Sequence, residues 1–275
     1  MNGTFGKVRP LRFPAYARVA CFFSLVLFAG NSISCAPTRA PVPPGEIPST
    51  ERLEPGDVEA GVQARQALTE QFPISDDPVY RQRVDRVVKR LLAATDSKQE
   101  WQVTVLDGDE IVNAAATRGN QIFVWSGMLQ KVDSEGELAA VLAHEVAHVL
   151  AGHVVPDQAE LFNRMLAQLA GAATGALAAK QSPGLANVAG GLAEKTVQGV
   201  IVNPYTQRME LEADTIGLFL MADADYDPRA ALDFWRDSGS STSKVAAFFS
   251  THPLSSERLQ RLERYIPEAL ARYHR

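Results

Sequence analysis

A chain of 275 residues with 46% hydrophobic and 21% charged side chains, 19 glycines and 16 prolines has an ordinary globular composition, which excludes collagen-like, low-complexity and wholly disordered readings. The formal charge of -5 hides an asymmetry: residues 1–34 carry Lys7, Arg9, Arg12 and Arg18 and no acid, so the remainder holds 23 basic against 32 acidic residues. A body that acidic lacks the basic face that neutralises phosphates, and no nucleic-acid partner is expected.

The basic start runs into Val19–Gly30, VACFFSLVLFAG, well short of the about 20 apolar residues that span a bilayer and suited to the core of a signal peptide over residues 1–34. Cys21 would leave with that leader, and Cys35 would then have no intramolecular partner. A lone cysteine followed by APTRAPVPP resembles the lipidated first residue and tether of a bacterial lipoprotein. Ser32 stands where that pattern usually has Leu, so ordinary cleavage after Ser34 is the alternative. The expected location is the periplasmic side of a bacterial envelope, with the membrane reached through the anchor alone; Ala36 after the cysteine favours the outer membrane. Residues 35–55 read as a Pro-rich tether and 56–275 as one domain.

Within that domain, Val84, Val87, Val88, Leu91 and Leu92 form one apolar face of a helix over residues 79–92. Trp101–Leu106 alternates as a half-buried strand does, and Ile111–Ala116 and Gln121–Trp125 flank Thr117-Arg118-Gly119-Asn120 as a hairpin. A small antiparallel sheet is therefore expected ahead of the helices. Ser134 with Glu137 three residues on is a capping box, and it opens a helix that runs to about Gly152. Phe248 and Phe249 read as core. Ala167–Val202, dense in Ala and Gly, reads as a pair of helices broken at Ser182-Pro183-Gly184.

The capped helix carries His144-Glu145-Val146-Ala147-His148. Positions i and i+4 share a helical face, so two imidazoles converge on one metal with Glu145 beside it. His153 does not complete the H-E-x-x-H-x-x-G-x-x-H pattern, whose last two positions are Ala151 and Val154 here. Continued on the helix it would lie about 140° from the ligand face, so it reads as a structural or surface histidine. A better third ligand lies in Glu210-Leu211-Glu212-Ala213-Asp214, on a helix over about residues 206–221. Glu210 and Asp214 are again i and i+4, so one carboxylate can reach the metal while the other hydrogen-bonds a ligating imidazole. Glu212 points away and reads as a solvated charge.

These motifs resemble the zinc metallopeptidases of the HtpX and CAAX-prenyl-protease class, above all its periplasmic lipoprotein branch and the mitochondrial Oma-type proteases. The likeness spans about residues 78–265. Besides H-E-x-x-H and E-x-x-A-D it rests on Asn113-Ala114, Ile122-Phe123-Val124, Tyr226-Asp227-Pro228, and Thr251-His252-Pro253 with Arg258. The resemblance implies one zinc per chain on His144, His148 and Glu210, Glu145 as general base, Asp214 supporting a ligand, and His252 with Arg258 approaching the site in catalysis. Ala115 departs from the aromatic residue that many relatives carry after Asn-Ala. His252 sits on a short loop stiffened by Pro253, where it would either stabilise an oxyanion or fill the fourth metal position at rest.

The expectation is an α+β, mainly helical, zincin-like domain that hydrolyses peptide bonds of misfolded or unassembled envelope proteins. Such a substrate could add as a strand along Asn113–Thr117. A chaperone or assembly factor with structural zinc is the alternative from another class, disfavoured by Glu145, since a structural site needs no base. A third reading is an enzyme acting on a non-peptide amide.

Overall fold

The structure, a computed structural model, describes residues 40–49, 53–154, 206–238, 244–245 and 247–274. The expected leader, Cys35 and the helical pair over 167–202 lie outside the described residues.

Helix α1, Pro55–Gln71, and helix α2, Pro78–Ala93, both begin with proline in the first turn, where its missing N–H costs nothing. Asp77 caps α2 by accepting from Val79 N at 2.7 Å and Tyr80 N at 3.3 Å, and Val84, Val87, Val88 and Leu91 are buried, the face that the periodicity marks. Three strands follow: β1, Gln102–Leu106; β2, Ala114–Thr117; and β3, Gln121–Trp125. β2 and β3 form the expected hairpin, turned through Gly119 and Asn120 at positive φ, which glycine and asparagine tolerate.

The sheet is mixed where an antiparallel one was expected. β3 lies between β1 and β2, so β1 pairs with the strand two places on and runs parallel to it, Gln102 opposite Gln121. β3 is buried on both faces: Ile122 and Val124 join the main core, while Phe123 and Trp125 pack with Leu68, Leu106 and Ile111.

Helix α3, Ser126–Lys131, leads into α4, Glu135–Leu150. The Ser134 side chain accepts from Glu137 N at 3.0 Å as expected, but Glu137 reaches back to Asp133 N, at 2.7 Å. Helix α5 is Gln207–Asp223, α6 Arg229–Ser238, α7 the single turn Phe248–Thr251, and α8 Ser256–Leu270. α4 is the buried axis of the domain, packed by α2, β2, α5 and α6. Phe248 is fully buried and Phe249 partly so. No helix among the described residues is long and apolar enough to cross a membrane. Part of the Pro-rich stretch lies against the body: Val42 N donates to Glu212, Arg272 donates to Gly45 O, and Ile47 packs on the core.

Gly217 sets the approach of α4 and α5. A Cβ there would lie 3.2 Å from the carbonyl of Ala143 and from His144 N, so the missing side chain lets the backbone of the first histidine sit against α5. Gly217→Val should lower stability by about 1–3 kcal/mol through overpacking. The expected readout is a lower denaturant midpoint with an unchanged slope; an unchanged midpoint would show that the helices part freely.

Candidate metal centre

α4 contributes His144, Glu145 and His148; α5 contributes Glu210 and Asp214; the turn after α7 contributes His252; and the first turn of α8 contributes Arg258. All seven are buried. One ligand atom from each of His144, His148, Glu210 and His252 lies within 4.8 Å of all the others. His144 Nε2 is 3.1 Å from His148 Nε2, 3.2 Å from His252 Nδ1 and 3.4 Å from Glu210 Oε2. Glu210 Oε1 is 3.3 Å from His252 Nδ1 and 3.6 Å from His148 Nε2. A proton on one ring nitrogen can serve only one of these neighbours, whereas a cation at the centre satisfies all four. Imidazole and carboxylate donors around a compact point suit a divalent transition metal.

The charges around the site agree with that fit. Burial would lower His144, yet Asp214 and Glu210 outweigh it and raise the imidazole to about 9. Burial and the neighbouring His144 together push His148 well below its ordinary value, which leaves it a neutral donor. Glu210, which burial alone would raise, is held well below the carboxylate range by His252 and His144, and Asp214 is lowered by Arg258. The pocket is thus built to hold positive charge between two ionised carboxylates. Glu145 behaves differently: burial raises its carboxyl against the pull of His252 and His144. Its Oε2 accepts from Ala116 N on β2 at 3.0 Å, and its Oε1 lies 3.3 Å from His252 Nε2.

Asp214 sits where the i, i+4 spacing puts it, with Oδ1 3.0 Å from His144 Nδ1. Arg258 reaches the site from behind. Its Nε and Nη2 donate to the two oxygens of Asp214 at 2.6 and 2.8 Å, and Nη1 donates to the carbonyls of His252 and Pro253 and lies 2.9 Å from Glu210 Oε2. With Nε, Nη1 and Nη2 so engaged, Arg258 orients Asp214, Glu210 and the His252 turn. Phe248 stacks on His252, ring centroids 4.6 Å apart, and Trp235 meets His144 edge-on at 5.6 Å.

Of the two readings open for His153, structural or surface, the structure takes the first: it is buried, its Nδ1 lies 3.0 Å from His148 Nδ1 and its Nε2 2.9 Å from Glu212 Oε2. Glu212 is not a solvated charge, because it also accepts from Val42 N at 2.6 Å. The helical wheel failed for His153 because the helix had ended. Gly152 has φ +62, Gly152 N donates to Val149 O, and His153 N donates to His148 O, both at 2.9 Å. That pair of bonds is a Schellman cap, which folds the residue after glycine back over the residue five before it. A glycine four positions after His148, next to a histidine, is the signal that could have revealed the contact.

An H-E-x-x-H helix, a carboxylate from a second helix and a buried imidazole-rich donor group on a mainly helical domain define a zincin-like metal centre. Residues 78–266 match the model of peptidase family M48, and the chain belongs to that family. It is 35% identical over 190 residues to the mitochondrial metalloendopeptidase OMA1 of Schizosaccharomyces pombe, covering 68% of this chain and 53% of that protein. It is 32% identical over 193 residues to the beta-barrel assembly-enhancing protease of Escherichia coli K12, covering 68% of this chain and 39% of that one. Against the human mitochondrial metalloendopeptidase OMA1 the identity is 33%, over 63% of this chain and 34% of that protein. The match thus spans about half or less of these relatives' length.

Arg258→Ala would leave the buried Asp214 carboxylate without its bidentate partner, at a cost of about 3–5 kcal/mol. Arg258→Lys should recover only part of it, because a point charge cannot reproduce the fork. Chemical denaturation of the three proteins checks the order, and a full rescue by lysine would contradict it.

Proposed function

We propose that the protein is a zinc-dependent endopeptidase that hydrolyses peptide bonds of misfolded or unassembled proteins of the cell envelope. The observation that carries the reading is Glu145: a buried carboxylate beside the convergent donors, held on one oxygen by the backbone of an edge strand. His144, His148 and Glu210 would hold the zinc. When bound, zinc acts as a Lewis acid that lowers the pKa of a coordinated water and polarises the scissile carbonyl. Glu145 accepts the proton which that water loses and delivers it to the leaving amine nitrogen, and its raised pKa suits both halves of the transfer. β2 lies at an edge of the sheet with Ala116 N turned toward Glu145, so an extended substrate pairing along Asn113–Thr117 would present its backbone to the base.

His252 belongs to the resting state in this reading. Its Nδ1 stands among the donors and its Nε2 against Glu145, so it fills the place that water needs. Displacement by substrate would free both the space among the donors and the base. The envelope location follows the leader-like start and Cys35, and the similarity to beta-barrel assembly-enhancing proteases supports it.

Purified protein is expected to hold about one zinc per chain and to cleave casein, with loss on chelation and recovery on zinc addition. Glu145→Gln should retain the metal and lose cleavage by about 100-fold or more. In the same assay His252→Ala should raise basal cleavage; wild-type rates in Glu145→Gln would sink the mechanism, and a lowered rate in His252→Ala would assign His252 to the transition state. For the anchor, Cys35→Ser should move the protein from the detergent-extracted membrane fraction to the soluble periplasm. Wild-type protein found free with an unmodified Cys35 would reject it.

A further inference from the structure

We propose that His153 and Glu212 are positioning residues that fix the ring and tautomer of His148, forming a second relay beside the one Asp214 provides for His144. The proposal rests on the metal-centre reading above. His148 presents Nε2 to the donor group and turns Nδ1 to His153 Nδ1, 3.0 Å away. Of two ring nitrogens that face each other at this distance, one must carry the proton and the other must be bare. The carboxylate at the far end decides which. Glu212 Oε2 lies 2.9 Å from His153 Nε2 and can only accept while ionised, so the His153 proton belongs on Nε2. His153 Nδ1 is then bare and accepts from His148 Nδ1–H, which leaves the lone pair of His148 Nε2 aimed at the metal position. Between neutral rings the opposite arrangement would set a bare ring nitrogen against a carboxylate, and a doubly protonated His153, like that arrangement, would leave the His148 proton on Nε2 inside the donor group.

The relay is fixed at both ends by backbone. The Schellman turn ties His153 N to His148 O, so the same two residues are joined through main chain and side chain. At the other end Val42 N donates to Glu212 Oε1 at 2.6 Å, and the Val42 side chain packs against Ala147, Ala151, Ala213 and Ile216. Each carboxylate oxygen of Glu212 thus has its own donor.

The test measures zinc affinity by competition with a chromophoric chelator, and the visible spectrum of the cobalt(II)-substituted full-length protein. His153→Ala should weaken zinc by about 10- to 100-fold and change the cobalt spectrum. His153→Asn retains an acceptor near the position of Nδ1 and should recover much of that loss, which a merely structural role would not predict. Glu212→Gln offers one acceptor oxygen to two donors and should weaken zinc about tenfold; it decides alone if the alanine variant fails to fold. Wild-type affinity in His153→Ala or Glu212→Gln overturns the relay. So does an equal loss in the alanine and asparagine variants that tracks an equal fall in metal-free stability. Failure of the wild type itself to bind zinc would overturn the metal-centre reading instead.

Discussion

Burying ionisable groups in a helical core is costly unless each one is paired, and the domain is organised around that constraint. Asp214 is the hub. It faces a guanidinium through both oxygens and an imidazole through one, so α5, α8 and α4 meet on a single carboxylate. Arg258 extends the link to Glu210 and to the carbonyls of the His252 turn. Removing the hub would therefore take a charged partner from His144 on α4 and from Arg258 on α8 at once.

The placement of His252 follows from the same network. Arg258 holds its carbonyl and Phe248 stacks on its ring, yet both belong to a short turn between α7 and α8 that α4 does not enclose. The histidines of α4, by contrast, are locked into the axis of the domain by Gly217 and by carboxylates on α5. A fixed pair of imidazoles thus faces a histidine carried on a turn.

Elements were legible wherever a short-range rule acts. Ser134 announces α4, the spacing of Val84, Val87, Val88 and Leu91 announces α2, and Gly119-Asn120 announces the hairpin, because caps, helix faces and turns are decided by groups a few residues apart. The parallel pairing of β1 with β3 was not legible: nothing local states that a strand will be inserted between its predecessor and the one before. The contact between His153 and Glu212 was missed for a related reason. A helical wheel holds only while the helix continues, and it carries no information about a partner 59 residues away.

By itself the sequence determined that the imidazoles of His144 and His148 share one helix face with Glu145 beside them, and that Glu210 and Asp214 share a face of another helix. These are consequences of 3.6 residues per turn. Only the tertiary structure decided which carboxylate meets which histidine, that His252 joins the donor group, that Arg258 stands behind it, and that the N-terminal segment reaches Glu212 through Val42. Each of those is a contact between elements far apart in the chain, set by how closely α4 and α5 pack and by the need to pair every buried charge, and neither quantity is written in local spacing.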